Sequence, residues 1–161
     1  MLRSYYFSAS GTTETIVNAL AANLGQEHAG HNLTQFGHIR PPQPGRDDIV
    51  LFAAPVYGGR IPAAAVERFR GIKGNGQKCV AMAVYGNRDY DDALIELCDL
   101  LAANGFQVIA AAAFIGRHCI FPKVAAGRPD SADMAKLADF ASEVKAAIGR
   151  PGALDLGIVK G

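Results

Sequence analysis

The chain lacks tryptophan, has three cysteines, carries almost no net charge and contains no long apolar run. Without tryptophan, any stacking on a flat ligand rests on tyrosine. Cys79, Cys98 and Cys119 are widely spaced and form no C-x-x-C pair, which excludes a four-cysteine cluster or a zinc site. Cys79 and Cys98 fall in apolar periodic segments and read as small core residues, so a reducing cytoplasm is the expected setting. A net charge of +1 gives no case for nucleic acid, which demands a basic face. The longest apolar run, residues 108–115, is far short of a membrane span, and the hydroxyl residues from Ser8 to Thr15 interrupt any leader-like run. His28, His31 and His38 share no metal-ligand spacing. Asp47 and Asp48 precede a strand, the wrong end of a parallel sheet for chemistry.

What is present suits one compact domain of 161 residues, half of them hydrophobic and 19% charged. Apolar runs alternate with helical patterns. Strands are expected at 2–7, 33–36, 49–54, 78–84 and 106–114. Ile16, Val17, Leu20 and Leu24 mark a helix stopped by Gly25; Val66, Phe69 and Ile72 mark one begun at Pro62. Leu94, Leu97, Cys98 and Leu101 mark a third, closed by Asn104-Gly105. Met134, Leu137, Ala141, Val144 and Ile148 mark a last helix, capped by Asp130 or Ser131. Between the second and third strands only a proline-rich loop is visible. The pattern is that of an α/β domain over residues 1–148, a parallel sheet with helices on both faces, followed by a tail or linker over 149–161.

Ligands of such sheets sit outside the carboxyl ends of the strands. Three strand ends stand out. The first, Ser8-Ala9-Ser10-Gly11-Thr12-Thr13, places hydroxyls and free backbone N–H groups at a helix N-terminus, where an anion is favoured. It has no lysine, so it is not a triphosphate loop, and it lacks Gly-x-Gly-x-x-Gly, so it is not the usual dinucleotide loop. One terminal phosphate monoester fits it; an ordinary helix cap is the plainer alternative. The second, Pro55-Val56-Tyr57-Gly58-Gly59, leaves an aromatic face uncovered between small neighbours. The third, Tyr85-Gly86-Asn87-Arg88 followed by Tyr90, offers two tyrosines and turn amides. Elsewhere, His118 is a candidate proton donor beside the last strand, Cys119 a buried or inert thiol with a redox thiol as the alternative, and Arg128 an opener of the last helix.

The three loops together resemble those of the flavodoxin family: an FMN-phosphate loop at Ser8–Thr13 and two ring-flanking loops at Pro55–Gly59 and Tyr85–Asn87. A closer likeness, carried by Tyr85–Leu94, Ala112-Ala113-Phe114, His118 and Ala126–Asp130, is to the flavodoxin-like half of proteins that add a C-terminal ferredoxin. The resemblance implies a three-layer sandwich with strand order 2-1-3-4-5, bound FMN, and electron exchange with a reductase or iron–sulfur partner in the cytoplasm, with no membrane or nucleic acid involved. An FMN-dependent NAD(P)H:quinone-type reductase and a non-catalytic flavodoxin-like binding module are the alternatives. The acidic run common after the third loop in small electron carriers is missing. Arg60 and Arg88 are instead expected to flank the ring and make its reduced form easier to reach, since a nearby cation stabilises an anion.

Overall fold

The computed structural model describes residues 1–35, 37, 40–121 and 123–159. Five parallel strands, β1 (Leu2–Tyr6), β2 (His28–Asn32), β3 (Ile49–Pro55), β4 (Lys78–Tyr85) and β5 (Gln107–Ile115), form one sheet in the order β2-β1-β3-β4-β5. Helices α1 (Thr12–Leu24) and α4 (Ser131–Ile148) cover one face, and α2 (Ala63–Arg70) and α3 (Ala93–Ala103) the other. The expected order and layering are present.

Strand alternation divides the core. Successive side chains of a strand point to opposite faces. Leu51 and Ala53 therefore join the α1/α4 layer, while Val50, Phe52 and Ala54 join the α2/α3 layer. In β4, Val80, Met82 and Val84 go one way and Cys79, Ala81 and Ala83 the other. The register slips once: Cys79 pairs with Val108 but Val80 with Ala110, so Ile109 is an extra residue. Ile109 and Ala110 then share the α1/α4 layer. Two of the three cysteines, Cys79 and Cys98, are buried as expected, and burial drives the Cys98 thiol up to about 12.

The second strand differs from expectation. Residues 33–36 carry the apolar signal, yet the strand is His28–Asn32, five residues earlier. Edge position explains this. His28–Asn32 pairs with β1 through the backbone, the Ser4 hydroxyl meets His28 Nε2 at 2.7 Å, and the Tyr5 ring stacks on His31 at 5.2 Å. Leu33 only ends the ladder, donating its N–H to Tyr6 O, while its side chain is buried. Phe36 and His38 lie outside the described residues.

Residues 149–159 contain one 3-10 turn at Leu156–Ile158. The Leu154 N–H donates to Val108 O, and Lys78 Nζ donates to the carbonyls of Ile148 and Arg150. This segment therefore lies along the outer side of β5, where an open strand edge is otherwise a liability. No helix among the described residues is long and apolar enough to cross a membrane.

Asn104 ends α3 and ties it to α2. Its side chain is buried and donates to the carbonyls of Phe69 and Ile72, at 2.8 and 3.0 Å. Truncation strips two helix-end carbonyls of their donor without giving them water. Asn104→Ala should lower unfolding free energy by about 2 kcal/mol in urea titration; a loss below about 0.5 kcal/mol, the range of an ordinary surface change, would contradict this role.

Candidate ligand site at the carboxyl edge of the sheet

The sheet reverses its order between β1 and β3, so the chain leaves these neighbouring strands in opposite directions and a crevice opens at their carboxyl ends. A cavity of about 250 Å³ lies there. Its wall takes Ala9, Ser10, Thr12 and Thr13 from the first loop, Pro55, Val56, Tyr57 and Gly58 from the second, and Tyr85 and Gly86 from the third. Of the other positions read from the sequence, Ser8, Gly11, Gly59, Asn87, Arg88 and Tyr90 are not part of this wall.

The first loop divides its hydroxyls between structure and cavity. The Ser8 hydroxyl accepts the Glu14 N–H at 3.1 Å, and the Ser8 N–H donates to Thr34 Oγ1. Ser8 is thus a cap for α1, although it stands four residues before the helix's first residue, Thr12. The chain turns at Gly11, whose φ of 83° suits glycine, and nothing lies within 4 Å of where a Cβ would be. Ser10 Oγ and Thr12 Oγ1 sit 3.4 Å apart. Among the described residues, the N–H groups of Thr12 and Thr13 have no protein acceptor, as the first turn of a helix requires. Two adjacent hydroxyls and unpaired amides at the positive end of a helix dipole are the donor set an oxyanion takes.

The second loop is a tight reversal. Tyr57 and Arg60 exchange backbone hydrogen bonds of 2.9 and 3.2 Å, with Gly58 and Gly59 at φ of 59° and 79°. Two consecutive positive φ angles are the reason both positions are glycine. The turn leaves Tyr57 40% exposed at the cavity mouth. Burial of its remainder pushes the phenol's pKa up, and the adjacent Cys119 thiol adds to this. The turn also sends Arg60 away. Its guanidinium binds Glu96 at 3.0 and 3.2 Å, and the same carboxylate accepts the Ile61 N–H. Arg60 straps the turn to α3 and does not flank the cavity. Arg88 lies outside it too, 3.8 Å from Asp91 and 76% exposed. The expected pair of ring-flanking cations is therefore not there.

The third loop is shaped by close approach. A Cβ on Gly86 would fall 2.8 Å from His118 Cδ2 and 3.0 Å from His118 Cα. Asn87 then turns the chain at a φ of 65°. Tyr85 and Tyr90 rings lie 5.5 Å apart.

A fourth wall, after β5, was read only in part. The sequence points to His118 and Cys119, and Arg117, Ile120 and Phe121 also line the cavity. Ile120 and Phe121 are 71% and 61% exposed. His118 Nδ1 accepts the N–H groups of Ile120 and Phe121, at 3.2 and 3.1 Å, which holds the neutral ring's proton on Nε2. The strand-end rule applied to β5 as well would have found this segment. The end of the segment is clamped: Arg128 grips Asp133 with two nitrogens and lies 3.4 Å from Asp130. Arg128 is thus committed to opening α4, where Asp130 caps by accepting from Ala132 and Asp133. Among the described residues, no group of three or more His, Cys, Asp or Glu side chains is placed to hold a metal ion.

In this doubly wound parallel sheet one crevice thus brings hydroxyl and amide donors at one end together with apolar and aromatic side chains at the other. Residues 5–78 match the family model described as a flavodoxin domain. No curated protein sequence matches the chain. Among solved structures, oxidised flavodoxin 2 of Bacillus cereus aligns over 90% of this chain and 97% of its own, with a TM-score of 0.63 and 15% identity. The two-electron reduced flavodoxin of Megasphaera elsdenii aligns over 89% and 99%, with a TM-score of 0.59 and 17% identity. The rubredoxin oxygen:oxidoreductase of Desulfovibrio gigas aligns over 92% of this chain but only 37% of its own, with a TM-score of 0.60 and 17% identity. The chain has a flavodoxin-like fold, and the resemblance read from its loops is supported by that fold and, for the first two loops, by the family match.

The Arg128 clamp has a pH signature. The Arg128 hydrogen bonds hold the Asp133 carboxyl below its ordinary 3.8, outweighing the opposing effect of burial. A depressed native pKa stabilises above the unfolded value, and that stability is lost as pH falls through the native one. Asp133→Asn should therefore be less stable than wild type at pH 7 and lose less of its melting temperature between pH 5 and 3. Parallel losses in the two proteins would contradict the clamp.

Proposed function

We propose that the protein binds FMN in this cavity and works as an electron carrier, or as the redox domain of a larger protein. The observation that supports it best is the continuity of one cavity from Ser10 and Thr12 at the α1 N-terminus to Tyr57 at the mouth. The residues suit the cofactor at both ends. Gly11 and Gly58 leave open space where any other residue would project a side chain. The phosphate is held by the Ser10 and Thr12 hydroxyls and the first amides of α1. The ring lies among Pro55, Val56, Tyr57 and Gly58 on one side and Tyr85, Gly86 and His118 on the other.

Bound FMN supplies one- and two-electron chemistry. The chain's part is to bind, to orient and to set how much water reaches the ring. Tyr57, Ile120 and Phe121 form an apolar rim at the mouth, a suitable approach for a reductase or iron–sulfur partner protein. A reducing cytoplasmic setting suits three unpaired thiols, two of them buried. Ser8, Gly11 and Gly59 serve the site through loop shape, and Asn87, Arg88 and Tyr90 through the outer part of the third loop.

The purified protein, mixed with FMN, should give a saturable visible spectral change at one equivalent. Thr12→Asp should weaken FMN binding at least about tenfold, because a carboxylate facing a phosphate repels it. The variant should stay folded, since an acidic residue is favoured in the first turn of a helix. Unchanged affinity in the variant would make the turn a helix cap only; a wild type that takes up no FMN would overturn the reading.

A further inference from the structure

Resting on the FMN reading, we infer that Arg117 is the phosphate's cationic partner, and that it makes the site select phosphorylated over unphosphorylated flavin. The sequence suggested a phosphate held by neutral donors alone. The structure adds a charge to that donor set from a segment that shows no motif.

The geometry comes from β5. Gly116 donates its N–H to Tyr85 O, and a Cβ on it would fall 2.5 Å from Thr12 Cγ2 and 3.0 Å from Val84 Cγ1. Only glycine lets the end of β5 come this near the start of α1. The next residue is Arg117, whose N–H donates to Arg128 O at 3.2 Å. Its backbone is therefore fixed directly beside the phosphate loop. Arg117 lines the main cavity together with Ser10 and Thr12. It also lines an adjoining hollow walled by Ser10, Gly11, Thr12 and Thr15. Arg117 thus borders the first loop in two adjoining hollows.

Charge accounting separates Arg117 from its neighbours. Arg60 is held by Glu96, Arg88 lies near Asp91, and Arg128 is gripped by Asp133 and Asp130. Among the described residues, no carboxylate pairs with Arg117, although it is exposed and lies against the loop. Lys123, on the same segment, lines neither hollow. A planar guanidinium offers paired N–H donors that match phosphate oxygens. Because the side chain is exposed, its attraction for the anion should be screened by salt.

The test compares FMN with riboflavin, which has the same ring system and no phosphate. Dissociation constants are measured by flavin fluorescence for wild type, Arg117→Gln, Arg117→Lys and Lys123→Gln, each at low and high salt. Arg117→Gln should weaken FMN by about tenfold, the loss of one charge-assisted contact, and leave riboflavin unchanged. Arg117→Lys should keep most of the FMN affinity, and Lys123→Gln all of it. The wild-type preference for FMN should shrink as salt rises and be nearly salt-independent in Arg117→Gln. Equal FMN affinity in wild type and Arg117→Gln would overturn the assignment while leaving the FMN reading intact. So would equal losses for both flavins, which mark general damage to the loop. Equal binding of FMN and riboflavin by wild type would overturn the phosphate assignment and this inference with it, and binding of neither would overturn the FMN reading as well.

Discussion

The first turn of α1 has amide donors that the helix itself cannot use. Everything distinctive about the carboxyl edge is arranged around that constraint. A helix start must satisfy or expose these groups. Here Ser8 takes the Glu14 amide, and the turn at Gly11 leaves the Thr12 and Thr13 amides without a protein acceptor. The strand order then decides what surrounds them. Because β1 and β3 are neighbours whose connections run in opposite directions, the β3 turn comes alongside the α1 start. The ends of β4 and β5 complete the wall. Nearness of this kind needs small residues at the crossings, which is why Gly86 and Gly116 abut His118 and Thr12.

Polar groups near the site fall into two sets. Those that build it are already committed: Ser8 to Glu14, Arg60 to Glu96, Arg128 to Asp133, and His118 Nδ1 to two loop amides. Residues that line the cavity include Ser10 and Thr12, whose hydroxyls are in loose contact with each other, and Arg117. The division explains why type alone misled for Arg60. An arginine beside a ligand loop reads as a ligand group until the carboxylate that holds it is seen on another helix.

The fold was legible where the physics is periodic. β3 and β4 are buried on both faces, so their continuous apolar runs mark them, and each helix has a stripe and a stop. β2 was misplaced because an edge strand is held by backbone pairing and by contacts such as Ser4 with His28, which leave no apolar pattern. In the site, the three loops with glycine signatures were legible, since positive φ and close approach demand glycine. The fourth was not. Arg117, Ile120 and Phe121 come to the cavity through the end of β5 and the clamp at Arg128, long-range facts that no local motif encodes.

The claim at the centre is that a single ligand joins separate strand ends. Amide chemical-shift mapping by 15N NMR during an FMN titration tests it directly. One saturating ligand should move the amides of Ser10–Thr13, Tyr57-Gly58 and Tyr85-Gly86 together, with a common dissociation constant, while β2 and the α2 helix stay still. Shifts confined to one loop, or loops that titrate with different constants, would contradict a shared site.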